Sequence, residues 1–167
     1  MSMTGMRREN VDAIVGLMKL QYEFARTGQG WDAYAAAREK LVARMGKPPD
    51  SFPGTPEHPY WRFIQRLYFY DPMPTLRRLR APILAIWGEL DNNVLAEKNR
   101  AAWDAALNAG GNRDYTLRIL PKANHGLFVA KVGSNAEAPT LQRIVPAYFT
   151  TVQDWLAERI RGFRASR

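Results

Sequence analysis

Asp91, in Trp87-Gly-Glu-Leu-Asp91, and His125, in Leu120-Pro-Lys-Ala-Asn-His125-Gly126, have the side chains and the setting for proton transfer. Each follows a short apolar or alternating run that reads as a strand. Each is therefore predicted in a loop at a strand's C-terminal end, where open α/β sheets keep their sites. A carboxylate within hydrogen-bond reach of an imidazole fixes one ring tautomer, leaves the other ring nitrogen free as a base, and stabilises the imidazolium formed when that base takes a proton. A separation of 34 positions in the chain need not keep the two residues apart in space, because adjacent parallel strands bring both loops to one edge. Gly126 beside the histidine permits a turn that other residues resist.

An acid and a base still need a group to activate. With no cysteine in the chain, thiol catalysis, disulfides and Cys-ligated zinc are excluded together, so a nucleophile must carry oxygen or nitrogen. The four serines are Ser2, Ser51, Ser134 and Ser166, and none lies in a Gly-x-Ser-x-Gly elbow. Ser134, nine residues beyond His125, and Ser51, in a proline-rich stretch, are the candidate substitutes; a water activated by His125 is the alternative. His58, in Pro-Glu-His-Pro, reads as a loop residue, and two distant histidines without clustered carboxylates give no metal site. Neither a phosphate-binding loop nor a dinucleotide fingerprint occurs, so no cofactor is expected.

The elements that must hold Asp91 and His125 follow from hydrophobic spacing. Val11, Ile14, Val15, Met18 and Tyr22 predict a helix over about 10–26 with Asn10 as N-cap and Gly28 closing it. A second helix is expected from Trp31 to Met45, with Tyr34, Leu41, Val42 and Met45 on its apolar side. Five prolines make 47–59 an irregular connector. Tyr60–Tyr70 is the densest aromatic segment; helix is favoured there over strand, and core packing over the wall of a pocket. From Pro82 the signals alternate: a strand over Ile83–Trp87, apolar enough to be buried on both faces, a helix over Leu95–Leu107, and a strand over Asp114–Leu120. A last helix, starting at Ala138 or Val145 and ending at Phe163, is expected to bury Val145, Phe149, Val152, Leu156 and Ile160. The fold class is α/β, with a small parallel sheet and flanking helices.

Residues 71–163 resemble the C-terminal part of an α/β-hydrolase, in particular the prolyl-oligopeptidase-like and esterase-like members. Asp71-Pro72 through Ala81-Pro82-Ile-Leu-Ala-Ile-Trp-Gly-Glu-Leu-Asp91-Asn-Asn-Val94 looks like the penultimate core strand and acid loop; Leu120 to Gly126 is similar to the last strand and histidine loop. The resemblance implies Asp91 as triad acid, His125 as triad base, and residues 1–70 as a helical cap-like region before a core segment at 71–167. It also implies a carboxylic ester or other small acyl substrate, with an apolar pocket under the N-terminal helices. The family's nucleophile elbow precedes the cap and has no counterpart in this chain, so the nucleophile is unidentified. The alternative is a non-catalytic α/β-hydrolase half that serves as an interaction or structural module.

Charge and length set the remaining expectations. A chain of 167 residues with 46% apolar content suits one domain, and no apolar run reaches the roughly eighteen residues of a membrane span. The start of the chain lacks the apolar stretch of a secretory signal, which predicts a cytoplasmic protein without membrane association. The net charge of +8 is spread over both halves, with 13 Lys/Arg against 8 Asp/Glu in residues 1–80 and 11 against 8 in 81–167. Outside Arg77-Arg78-Leu79-Arg80 and a thin series at Arg159, Arg161, Arg164 and Arg167 nothing is dense, so nucleic acid is not expected as a partner. Two strands leave open edges, which predicts a homodimer.

Overall fold

The computed structural model describes residues 6–46 and 51–165, and of Asn135 and residues 162–165 it gives the backbone alone. Ser2, Ser166 and Arg167 lie outside the described residues, as do positions 47–50 of the expected connector; the side chain of Arg164 is likewise not described. Two compact units make up the chain, Met1–Asp71 and Pro72–Arg167.

The first unit is helical: α1 (Arg8–Thr27), α2 (Trp31–Met45) and α3 (Tyr60–Tyr68). Gly28 and Gly30, at φ +73° and +85°, take the left-handed turn between α1 and α2, a conformation that costs glycine little. Asn10 is not the cap of α1. The helix begins two residues earlier, with Arg7 in the capping position, and among the described residues the buried Asn10 side-chain oxygen has no hydrogen-bond partner. Leu17, Tyr34, Leu41, Phe52, Trp61 and Ile64 form the core, and the rings of Phe24, Trp31 and Tyr34 pack around Trp61 with centroids 4.8–6.1 Å away. The irregular chain after α2 is tied to this core through its carbonyls. Tyr34 donates to Pro53 (3.0 Å), Arg38 to Phe52 (2.9 Å) and Trp61 to Thr55 (2.8 Å). Burial pushes the Tyr34 hydroxyl up to about 12. The aromatic segment divides: Trp61 and Ile64 are core, whereas Phe63, Leu67, Tyr68, Phe69 and Tyr70 are exposed.

The second unit is α/β. It contains α4 (Met73–Arg78), β1 (Ile83–Gly88), α5 (Ala96–Gly110), β2 (Tyr115–Leu120), a short 3-10 helix (Asn135–Thr140) and α6 (Pro146–Ala165). β1 and β2 are parallel and adjacent, in register from Ile83 opposite Tyr115 to Gly88 opposite Leu120, with α5 as the crossover. α5 packs on α4 so closely that a Cβ at Gly110 would overlap the Arg77 carbonyl. Trp103 meets Trp87 of β1 edge to face at 5.7 Å. Buried Asn112 closes the turn into β2: its Nδ2 donates to the Leu79 and Ala81 carbonyls and its Oδ1 accepts from the Asp114 N–H.

Two expectations about burial are corrected. β1 is mostly half-buried rather than enclosed on both faces, with Ala85 and Gly88 alone buried, because a sheet of two strands gives it a neighbour on one side only. Most of the apolar stripe of α6 faces outward: Phe149, Leu156 and Ile160 are exposed, Val152 is half-buried, and only Val145, just before the helix, is buried. The narrow sheet offers no surface wide enough to receive a twenty-residue helix along its length. Arg159, stacked on Trp155 at 3.8 Å and paired with Asp114, and Tyr148, packed beside Leu120, Ala123 and Val145, hold α6 to the rest of the unit.

Candidate active site

The acid loop grows directly out of β1. A tight turn at Gly88–Asp91 carries the Asp91 N–H to the Gly88 carbonyl (3.2 Å), while Glu89 and Leu90 donate to Leu120 (2.9 Å) and Ala123 (2.8 Å) of the neighbouring segment. A Cβ at Gly88 would overlap the carbonyls of Ala123 and Asn124, so glycine is what lets the acid loop and the histidine loop lie against each other. The Glu89 carboxylate adds a bond from the Lys122 N–H at 2.9 Å.

The histidine loop is shaped mainly by Asn124. Its Oδ1 accepts the N–H groups of Gly126 and Phe128, both at 3.0 Å, and its backbone exchanges bonds with Leu127 and Phe128. This is the side-chain-to-backbone bonding for which Asn is favoured in turns. Leu127 is held at φ +60° and Lys122 at +57°, left-handed conformations that cost a non-glycine residue about 1–3 kcal/mol each. The Leu127 carbonyl accepts from Val145 at 2.9 Å and Ala130 donates to Lys122 at 2.8 Å, bonds that help offset the strain.

These two loops bring Asp91 and His125 together. Nδ1 of His125 lies 2.9 Å from Oδ2 of Asp91, the separation of a charge-assisted hydrogen bond. The other carboxylate oxygen, Oδ1, accepts the N–H groups of Asn93 (2.9 Å) and Val94 (2.8 Å), so the carboxylate plane is fixed from both sides. The Asp91 side chain is 5% exposed and that of His125 57% exposed: the acid is enclosed and the ring opens to solvent. Burial works to raise the Asp91 pKa, but the N–H of Val94, the His125 ring and the N–H of Asn93 outweigh it and hold the carboxyl below its ordinary value. With Nδ1 donating to this carboxylate, Nε2 is the nitrogen left to accept a proton.

A cavity of about 270 Å³ adjoins the pair, walled by Ile86, Trp87, Val94 and Leu127 with Asp91 and His125 as its polar members. Among the described residues no side-chain hydroxyl is hydrogen-bonded to His125. Ser134 is buried at the start of the 3-10 helix, where its carbonyl accepts from Glu137, and Ser51 belongs to the other compact unit, where its carbonyl accepts from Gln21. His58 is a loop residue whose Nδ1 accepts the Tyr60 N–H at 3.2 Å. Among the described residues no cluster of three or more metal-ligating side chains occurs, and no helix is long and apolar enough to cross a membrane.

Residues that the sequence left without a role make the bonds and close contacts around the two loops: Gly88, Asn92, Asn124, Gly133 and Glu137. Asn and Gly between predicted elements signal turns, and that signal was present at Asn92, Asn124 and Gly133. For Glu137 no local spacing gives one, because its partners are three backbone N–H groups of a preceding irregular loop. No family model matches the chain, and comparisons with curated proteins and with solved structures return no significant match.

Proposed function

We propose that the second unit carries the acid and base of an acyl hydrolase acting on carboxylic esters, in keeping with the likeness of residues 71–163 to the C-terminal part of α/β-hydrolases. The observation that carries this reading is the 2.9 Å bond between Asp91 and His125 at the C-terminal edge of two parallel strands. His125 Nε2 removes a proton from water, or from a hydroxyl brought to it, as the new C–O bond forms at the ester carbonyl. It then returns that proton to the departing alkoxide as the ester C–O bond breaks, and Asp91 stays ionised throughout, orienting the ring. The apolar walls of the adjoining cavity favour an acyl or alcohol group without charge. The test is hydrolysis of uncharged aryl esters of increasing acyl length by the parent and by His125→Ala. Turnover lost by about 10²–10⁴-fold in the variant, with its fold retained, supports the assignment; equal turnover in the two overturns it.

A second reading, an interaction module in which the pair performs no turnover, is favoured by the exposed stripe of Phe149, Leu156 and Ile160 on α6 and by the open edges of the two-stranded sheet. In that case the parent shows no ester turnover above the His125→Ala background and self-associates through these surfaces.

A further inference from the structure

The acid loop has outer support that the proton-transfer pair itself does not contain. Glu137 accepts the backbone N–H groups of Lys131 (3.0 Å), Val132 (3.1 and 3.2 Å) and Gly133 (2.9 Å). Three successive N–H groups converge on one point only when the chain curls into an anion-binding concavity, and here the protein's own carboxylate fills it. The curled segment meets the acid loop twice. The Val132 carbonyl accepts from Asn92 Nδ2 at 3.1 Å, and Gly133, at φ +71°, lies so close to Leu90 that a Cβ would overlap the Leu90 carbonyl. Leu90 and Asn92 are the two neighbours of Asp91, whose Oδ1 is in turn tied to the backbone of the same loop.

We infer that Glu137 is a positioning residue for the Asp91–His125 pair: by curling 131–133 against Leu90 and Asn92 it fixes the acid loop so that Asp91 Oδ2 stays on the His125 ring. The role rests on the proposed function of that pair and adds to it the part that holds the acid in place. The carboxylate is needed as such, because both its oxygens accept bonds. A glutamine would turn its NH₂ toward an N–H at one end of the concavity.

The test reads the His125 ring directly, by long-range ¹H–¹⁵N correlation on the labelled full chain at mildly alkaline pH. In the parent one ring nitrogen, Nδ1, is protonated and the other is bare. In Glu137→Ala the two nitrogens converge to averaged shifts, and in Glu137→Gln, which keeps one acceptor oxygen, convergence is partial. The indole N–H of Trp103, packed on Trp87 in the same unit, is the internal reference: a local loss of positioning leaves its signal in place, whereas unfolding of the unit moves it together with the His125 ring. Asn92→Ala, which removes the bond between the two loops, shifts the ring in the same direction, and the double variant shows less than the sum of the single effects. A His125 spectrum in Glu137→Ala identical to the parent's overturns the inference. If that variant does not fold, a parent-like spectrum in Asn92→Ala overturns it equally. Failure of the parent to turn over esters removes the hydrolase reading and leaves this spectral result standing. An unmoved ring in an active enzyme removes the positioning role alone.

Discussion

At the scale of single residues, the site depends on a carboxylate that stays charged although it is enclosed. Two backbone N–H groups and the ring hold Asp91 below its ordinary pKa of 3.8, so folding favours the ionised form. The stabilisation this gives is fully present above that ordinary value and is lost as pH falls through the lower folded value. Thermal unfolding followed across the acid range should therefore show a steeper loss of Tm for the parent than for Asp91→Asn, which has no proton to take up at this position. The same substitution leaves the ring without an anionic partner and is expected to lower ester turnover by about 10²–10⁴-fold while the chain remains folded. Asp91 and His125 were legible in the sequence because residue type and a post-strand loop suffice to nominate them. Their supports were legible only in part: Asn124 carries a turn signal, whereas Glu137 bonds to backbone groups of irregular chain, whose shape no periodicity encodes.

Among the elements, the β1–α5–β2 crossover does the positioning, and its existence was readable from Ile83–Trp87, the helical spacing after Leu95 and the alternation over 115–120. The shape of the turns at its ends was not, because it is set by bonds between loops far apart in the chain. Asn124→Ala leaves the N–H groups of Gly126 and Phe128 without their acceptor while Leu127 keeps its strained conformation. A loss of about 1–3 kcal/mol in urea unfolding is expected, together with loss of the ring's fixed orientation. Gly88→Ala should cost a similar amount, about 1–3 kcal/mol, because the added methyl forces the two loops apart. A stability unchanged in either variant would show that these turns do not carry the strain assigned to them. At α1 the cap reading failed for a physical reason. Arg8 and Glu9 extend the helix ahead of Asn10, which places that side chain inside the first turn rather than before it.

For the whole molecule, the two compact units differ in how completely they use their apolar residues. The helical unit buries the ring of Trp61 among three other aromatic rings, whereas the α/β unit leaves Phe149, Leu156 and Ile160 of α6 in solvent. Helical spacing identified that stripe correctly and misplaced it, since periodicity reports an apolar face but not whether a sheet wide enough to cover it exists. Open strand edges together with this stripe lead us to propose self-association. Sedimentation velocity is expected to show dimer growing with concentration in the parent and monomer in Leu156→Glu, and a parent that stays monomeric at high concentration would contradict it. All three scales meet at one imidazole, so the most direct measurement is the ¹⁵N ring spectrum of His125 in the parent and in Asp91→Asn. A protonated Nδ1 and a bare Nε2 in the parent, lost in the variant, is the predicted result; the same ring spectrum in both would contradict the pairing on which the proposed chemistry stands.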